Sequence, residues 1–309
     1  MIRKIICIIF SILWVLNSHS QEFGTHWISY PFPDDSTEVM FRHTYITKHR
    51  PQQAYITFAS MGCCKVYINE RNVSREVYYR NTTPQGILLH TYDVTRYLRP
   101  DSNTIAVWYA PCPQATAYSQ NAASKQLTLD YYGTSHNGSA FYQQADESWS
   151  CSLSEGNRIT QDSIGNTIEV FDNRQYDNSW KASDFFQESE KPVHRLLKET
   201  KGIYTTLPTY PAYVNRLRHV LSPIAEYEDS LGLHYDFGRF FQGSVRITLR
   251  EAKKGERLEI NGLVYICSGE MDEQAFRRLS TSRQKSITIK GDRHFRKSQI
   301  QKIEGLEIY

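Results

Sequence analysis

The amino-acid sequence predicts an all-β protein built from two β-sandwich domains. It contains 21 tyrosines and 14 phenylalanines, and many of them alternate with threonine, valine and isoleucine in short runs. This alternation is typical of strands that bury one face. Clusters of asparagine, glycine and proline separate the runs at short intervals, and few segments show helical periodicity. Many short strands with frequent turns favour β-sandwiches.

Strands of the first domain are predicted where large and small side chains alternate, since neighbouring residues of a strand face opposite sides of the sheet. The clearest runs are Ala54–Ala59, Lys65–Asn69, Thr104–Tyr109 and Lys125–Tyr131. The segment Asp93–Leu98 is an exception and predicts one short helical turn. Asp93 or Thr95 would cap this turn, and Pro100 would end it.

A break in the pattern near residues 185–212 predicts the boundary between the domains, because prolines and charged residues interrupt the alternation there. We place the first domain at residues 21–190 and the second at residues 191–309. The strands predicted in the second domain are Leu233–Phe237, Ser244–Arg250, Arg257–Ile260 and Ser286–Lys290.

The first twenty residues predict a secretory signal peptide. Arg3 and Lys4 precede the mainly apolar run Ile5–Leu16, and small residues stand near the predicted cleavage site between Ser20 and Gln21. The run is shorter than the ~20 apolar residues of a membrane span, and an uncleaved anchor is the alternative. We therefore expect a secreted or periplasmic protein without a membrane span.

Charge and cysteine usage exclude several classes of protein. The formal net charge is only +3, and no dense run of lysine and arginine favours a nucleic-acid partner. Five scattered cysteines remain after removal of the signal peptide: Cys63, Cys64, Cys112, Cys151 and Cys267. Their number and spacing fit neither a disulfide framework nor a zinc site, so we expect at most one disulfide and otherwise buried thiols.

Several segments carry a family resemblance in a common order. They are Ala59–Asn69, Thr91–Leu98, Asp101–Val107, His136–Ser139 with Ala145–Trp149, Phe171–Arg174 with Tyr176–Ala182, and Tyr235–Gly243. Together they resemble the N-terminal, non-catalytic β-sandwich domains of bacterial α-L-rhamnosidases over about residues 41–309. The resemblance implies a first sandwich of jelly-roll, galactose-binding-like type. Three loops depart from the family pattern: Glu70 and Phe240 replace a glycine and an asparagine, and Tyr109–Pro113 replaces a glycine-rich loop.

In such enzymes a helical toroid follows the sandwiches and carries the catalytic carboxylates. The sequence ends at Tyr309, where the resemblance would place the start of that toroid, so no catalytic residue is carried over. The acidic segment Gly269–Glu273 could place Glu270 and Glu273 on one side of a helical turn, but an exposed loop or a helix start is the commoner explanation. We predict a protein without catalytic activity of its own, or otherwise an α-L-rhamnosidase-type glycoside hydrolase.

Aromatic side chains are the candidate binding residues, because they stack on the apolar faces of sugar rings. We select Trp108, Tyr109, Trp149 and Trp180 for carbohydrate binding, with packing in the sandwich core as the alternative. Tyr109 is expected at the surface, since it ends a strand before two prolines. Calcium serves sugar recognition in sandwich modules of some relatives, but the sequence has no Asp-x-Asp-x-Asp loop, so we assign neither a metal nor another cofactor.

The predicted function is that of an accessory or carbohydrate-binding protein in the degradation of rhamnose-containing polysaccharide. That polysaccharide would be anionic if Arg277, Arg278, Arg283 and Lys285 bind it, although a solvated sheet edge explains such a basic stretch more simply. One alternative is half of a split α-L-rhamnosidase that needs a separate catalytic chain. The sequence also leaves open a structural docking module and sandwiches with a hydrolytic site of their own.

Overall fold

The structure is a computed structural model. It describes residues 26–32, 37–74, 79–80, 82–83, 86–87, 89–110, 125–186, 188–196 and 217–309. The predicted signal peptide, Cys112 with its flanking prolines, and residues 197–216 near the predicted domain boundary lie outside the described residues. The division into domains at residues 190 and 191 therefore stays a prediction.

The described part of the first two thirds of the chain forms short antiparallel strands. They are β1 (Trp27–Ser29), β2 (Thr37–Ile46), β3 (Gln53–Ser60), β4 (Cys63–Ile68), β5 (Arg71–Asn72), β6 (Tyr79–Arg80), β7 (Thr82–Thr83), β8 (Gly86–Ile87), β9 (His90–Asp93), β10 (Ser102–Ala110), β11 (Gln126–Thr134), β12 (Ala140–Gln144), β13 (Ser150–Gln161), β14 (Thr167–Asp172), β15 (Lys191–Pro192) and β16 (His194–Leu196).

The last third also consists of strands. They are β17 (Leu217–Leu221), β18 (Ala225–Asp229), β19 (Gly232–Leu249), β20 (Arg257–Ile260), β21 (Leu263–Ile266), β22 (Glu273–Phe276), β23 (Ser282–Gly291) and β24 (Ile300–Ile308). Helical structure in the described residues is limited to the 3-10 turns Thr95–Tyr97, Asn178–Lys181 and Lys297–Gln299. The predicted all-β sandwich fold is confirmed. None of the described residues forms a helix with the length and hydropathy of a membrane span.

Two large sheets organise these strands. The smaller has the order β16-β1-β11-β3-β9, with β12 added to β11. The larger has the order β17-β24-β19-β23-β20-β21-β14-β13-β2-β10-β4-β5. Its two halves meet where β14 pairs with β21 in parallel, with Glu169 opposite Leu263 and Asp172 opposite Ile266. Backbone hydrogen bonds therefore run from the first sandwich into the second half of the chain.

The strands β2, β4 and β10 bury both of their faces. On one face, Phe41 and Val107 belong to the core shared with the smaller sheet. On the other face, Met40, Tyr67 and Trp108 belong to a second core shared with strands β19 to β24. Each fully buried large apolar side chain contributes about 1.5–3 kcal/mol, so these strands are fixed from both sides.

Two local predictions agree with the structure. The predicted turn near Asp93 is the 3-10 turn Thr95–Tyr97, and the Asp93 carboxylate accepts a hydrogen bond from the Thr95 backbone N–H at 3.0 Å. The four described cysteines, Cys63, Cys64, Cys151 and Cys267, are buried free thiols. Buried thiols in an apolar core behave as small hydrophobic groups, as expected.

The glycine that ends the motif Tyr235–Gly243 is predicted to be sterically irreplaceable. A Cβ atom on Gly243 would lie 1.9 Å from the Leu306 carbonyl oxygen of the neighbouring strand. We expect Gly243→Ala to lower the free energy of unfolding by at least ~1–3 kcal/mol, the usual cost of overpacking, in urea denaturation. Gly165→Ala is the control for backbone strain, because Gly165 also has a positive φ, of 83°, but its Cβ would meet no atom within 4 Å. Equal losses in the two variants would contradict the steric explanation.

The stability of the fold is predicted to fall in acid through His90. Burial lowers the pKa of His90 in β9 to about 4. Between pH ~6.5 and 4 the unfolded chain therefore binds a proton that the folded chain does not, so stability decreases as the pH falls through this window. We expect protonation of His90 to lower the free energy of unfolding by at most ~3 kcal/mol. His90→Gln should flatten the pH profile of urea unfolding, leaving a smaller slope from His43, whose pKa burial also lowers.

Candidate functional site

The four aromatic residues selected from the sequence all lie in the protein interior. Trp108, Trp149 and Trp180 are 1% exposed and Tyr109 is 0% exposed. The expected surface position of Tyr109 is wrong. Strand β10 continues to Ala110, and its odd-numbered residues face the first core, where the Tyr109 ring packs edge-on against Phe41 at 6.2 Å. The predicted role of these four rings in sugar binding stays a prediction, and their burial offers a sugar no open ring face.

Trp149 nevertheless lies beneath an accessible groove. The imidazole of His43 stacks on its ring, with 6.0 Å between centroids and 19° between planes. His43 is half-buried and lines two adjoining depressions with volumes of about 610 and 380 Å³. Both depressions also include Tyr45 and Gln143, so we treat them as one β2–β12 groove. A residue of the core thus supports the floor of a surface site.

The larger half of the β2–β12 groove is aromatic. The Tyr131 ring lies 5.0 Å from both the Tyr45 and the Phe141 rings. Tyr45 and Tyr131 are mostly covered, whereas Phe141 is half-buried. The exposed imidazoles of His49 and His136 lie 4.9 Å apart at the rim. The accessible ring surface of the groove therefore comes from Phe141 and this histidine pair.

The smaller half of the groove is polar. The His43 Nδ1–H donates to the Ser148 carbonyl oxygen at 3.0 Å, because a carbonyl can only accept. Burial lowers the pKa of His43, so the ring favours its neutral form and presents Nε2 as an acceptor. Arg195 approaches the His26 ring at 3.3 Å and the Glu147 carboxylate at 3.6 Å. Donors and acceptors thus converge beside the aromatic half.

A second polar cluster lies where the two halves of the large sheet meet. We call it the charged join and define it by Glu38, Lys65, Glu169, Lys181 and Arg278. The Trp108 indole N–H donates to the Glu38 carboxyl group at 2.6 Å. Burial raises the pKa of Glu38 to about 8, and the nearby Glu169 carboxylate adds to this rise. Strongly shifted groups of this kind mark candidate functional sites as well as structural networks.

Arg278 brings the second half of the chain into the charged join. Its guanidinium carbon lies 4.1 Å from the Phe171 ring centroid, 4.9 Å from that of Phe276 and 5.3 Å from that of Tyr176. The Trp108 ring is 5.9 Å away. Such contacts offset part of the cost of removing a cation from water, at roughly 0.5–2 kcal/mol each. Arg278 is therefore half-buried against aromatic rings, unlike a residue of a fully solvated basic edge.

Comparison with known proteins places the chain in a family. Residues 49–211 match the model of the α-L-rhamnosidase N-terminal domain. The chain belongs to this family. No curated protein sequence is significantly similar to it.

Three solved α-L-rhamnosidases share their fold with this chain over the aligned part. The enzyme from Dictyoglumus thermophilum has 19% identity and a TM-score of 0.79, over 93% of this chain and 36% of that one. The enzyme from Aspergillus terreus has 16% identity and a TM-score of 0.75, over 92% and 36%. The Streptomyces avermitilis enzyme, complexed with L-rhamnose, has 17% identity and a TM-score of 0.73, over 90% and 29%. The chain spans about a third of the length of these relatives.

Glu270 and Glu273, the acidic pair suggested by the sequence, do not form a catalytic pair in the structure. Glu273 begins strand β22 instead of a helical turn, and it is 4% exposed. Its carboxylate accepts hydrogen bonds from the Asn173 amide at 2.8 Å and from the Ser268 backbone N–H at 2.6 Å. Glu270 is exposed. A carboxylate that is buried and surrounded by donors stabilises its loop and presents no accessible acid or base.

No metal site is evident among the described residues, since no three histidine, cysteine, aspartate or glutamate side chains gather closely enough to hold an ion. The role of calcium stays a prediction. Sequence reasoning also missed the β2–β12 groove. Its histidines are scattered along the sequence without a recognisable spacing. His49 and His136 meet because β3 pairs with β11, with Gln53 opposite Thr134.

Trp149 is predicted to link core stability to the groove. We expect Trp149→Ala to lower the free energy of unfolding by ~3–5 kcal/mol, because it removes a fully buried indole. Trp149→Phe should cost less and keep a ring beneath His43. Urea denaturation followed by circular dichroism measures both values. Equal stability of the alanine variant and the unaltered protein would contradict the placement of Trp149 in the core.

Proposed function

We propose that this protein is a non-catalytic accessory protein that binds rhamnose-containing polysaccharide during its degradation outside the cytoplasm. The observation that supports this function is the β2–β12 groove. Binding sites for small molecules combine apolar ring surface with a few oriented polar groups. Phe141 and the pair His49 and His136 supply ring surface, and His43 and Gln143 supply polar groups.

The choice of rhamnose rests on family membership. The Streptomyces avermitilis relative is an α-L-rhamnosidase complexed with L-rhamnose. The shared fold and the match over residues 49–211 make rhamnose-containing polysaccharide the first ligand to test. Fold alone does not fix function, so the proposal depends on a binding measurement. Export by the predicted signal peptide, residues 1–20, would place the protein with such a substrate.

Phe141 provides the test of the groove. We expect the protein to be retarded in electrophoresis through gels containing rhamnose-rich polysaccharide, and Phe141→Ala to weaken its affinity about tenfold through lost ring contact, as ~1.4 kcal/mol would do. Phe186→Ala is the matched control, because Phe186 is 85% exposed and does not line the groove. Melting temperatures of both variants separate lost binding from lost folding.

Two outcomes would reject the proposed function. The first is unchanged mobility in all rhamnose-containing gels, with and without added calcium. The second is equal retardation of the Phe141→Ala variant and the unaltered protein, provided both are folded. A parallel gel with a rhamnose-free polysaccharide shows whether retardation is selective. Loss of retardation with a calcium chelator would add a metal to the proposal.

A second candidate is a subunit of a split α-L-rhamnosidase. The chain aligns with 29% to 36% of the length of the three enzymes described above, so the activity of such an enzyme would require the remaining part as well. Co-purification with a chain that resembles the remaining part of these enzymes, together with hydrolysis of a rhamnoside by the pair only, would support this candidate. Hydrolysis by the catalytic chain alone at the same rate would reject it.

A further inference from the structure

We propose that the charged join is a second binding site and that it takes the carboxylate of an acidic sugar. The inference rests on the proposed function for the class of ligand, but it uses different residues on a different face of the first sandwich. The site gathers three cations around aromatic side chains, and its charge balance favours an anion from outside the described residues.

The first observation is the pairing of the cations. Among the described residues, neither the Arg278 guanidinium nor the Lys181 ammonium forms an ion pair with a carboxylate. Lys181 donates to the Asn178 amide oxygen at 2.8 Å, and the buried Arg278 Nε has no hydrogen-bond partner in the part of the chain that the structure describes. Buried charges are normally paired or hydrogen-bonded, because desolvation is costly. Both cations therefore have unused capacity for an anion.

The second observation is the excess of positive charge. Burial lowers the pKa of Lys65 and of Lys181 to about 8, which leaves both mainly charged at neutral pH. Burial also raises the pKa of Glu38 to about 8, which leaves this carboxyl mainly neutral. The Glu169 carboxylate is occupied by the backbone N–H groups of Arg278, at 2.7 Å, and of Leu279. The three cations of the join therefore outnumber its one remaining carboxylate, Glu169, at neutral pH.

The third observation is that one side of the join is accessible to solvent and that aromatic rings lie beside its cations. Lys65, Tyr176 and Arg278 are half-buried, so this side of the join reaches solvent, whereas Lys181 is 8% exposed. The Tyr176 ring lies 5.3 Å from the Arg278 guanidinium and 5.9 Å from the Lys181 ammonium. The Tyr67 ring lies 4.7 Å from the same ammonium. A sugar whose carboxylate meets the cations would place its apolar ring atoms beside these tyrosines.

Isothermal titration calorimetry of the full chain tests the proposal with D-galacturonate as the probe and D-galactose as the matched neutral sugar. We expect galacturonate to bind at least about tenfold more tightly at pH 6.5, as one charge-assisted contact allows. Lys181→Met removes the charge but keeps the apolar stem, and it should weaken binding about tenfold. Lys181→Arg should restore binding. Lys254→Met is the control, because Lys254 is exposed and lies outside the join.

The pH profile supplies a readout that a purely structural role would not produce. The titratable groups that face the site are Glu38, Lys65, Tyr67, Glu169, Tyr176, Lys181 and Arg278, with Glu70 acting on Lys181 from farther away. Between pH 6.5 and 9.5 the two lysines lose protons and Glu38 becomes ionised. The positive excess then disappears, and the affinity for galacturonate should fall while any affinity for galactose stays constant.

The outcomes separate this site from the groove. Equal affinities for galacturonate and galactose, or a folded Lys181→Met variant with unchanged affinity, would overturn the carboxylate site. Tighter binding of galactose 6-sulfate than of galacturonate would overturn the assignment to a carboxylate. If galacturonate binds as expected while rhamnose-rich gels cause no retardation, the join is supported and the groove proposal fails. If retardation depends on Phe141 and galacturonate does not bind, the groove proposal is supported and the carboxylate site is rejected.

Discussion

The burial of strands β2, β4 and β10 on both faces is the constraint on which the rest of the structure depends. Successive residues of a strand alternate between its faces, so a slip of one residue would exchange the two cores. Here the register places Trp108 opposite Met40 on one side and Lys65 on the other. The same register places Glu38 and Lys65 in the layer between the two halves of the large sheet. Burial of charge in the join is therefore a consequence of covering the second face.

The join remains compatible with a folded core because part of its charge is met by other polar groups and by ring quadrupoles. Arg278 contacts four rings, and Glu169 accepts hydrogen bonds from the backbone that follows strand β22. These contacts tie the end of one strand to β14, which itself joins the halves of the large sheet through parallel pairing with β21. Electrostatic contacts and backbone hydrogen bonds thus hold the same boundary. The parallel pairing of β14 with β21 fixes the backbone only. The contacts of Arg278 and Glu169 also fix which side chains face one another at this boundary.

The strands, the turn after Asp93 and the family motifs could be predicted because they depend on local patterns. The burial of Tyr109 could not, since a period of two shows which residues share a face but not whether another layer covers that face. Trp108 and Trp180 show the same difficulty, because the strands that bury their rings are more than fifty residues away in the sequence. The groove escaped prediction for a related reason. His43 and His136 acquire a common surface only because the two sheets pack against each other.

The two proposed sites use opposite faces of the same central strands. The odd-numbered residues His43 and Tyr45 of β2 line the groove, whereas the even-numbered Glu38 belongs to the join. Because β2 is held by hydrogen bonds to both β10 and β13, its register fixes which residues reach each face. The faces also differ in chemistry, with ring surface and neutral polar groups on one and cations beside tyrosines on the other. A polysaccharide that carries both neutral deoxysugars and acidic sugars would match this division better than a uniform neutral chain.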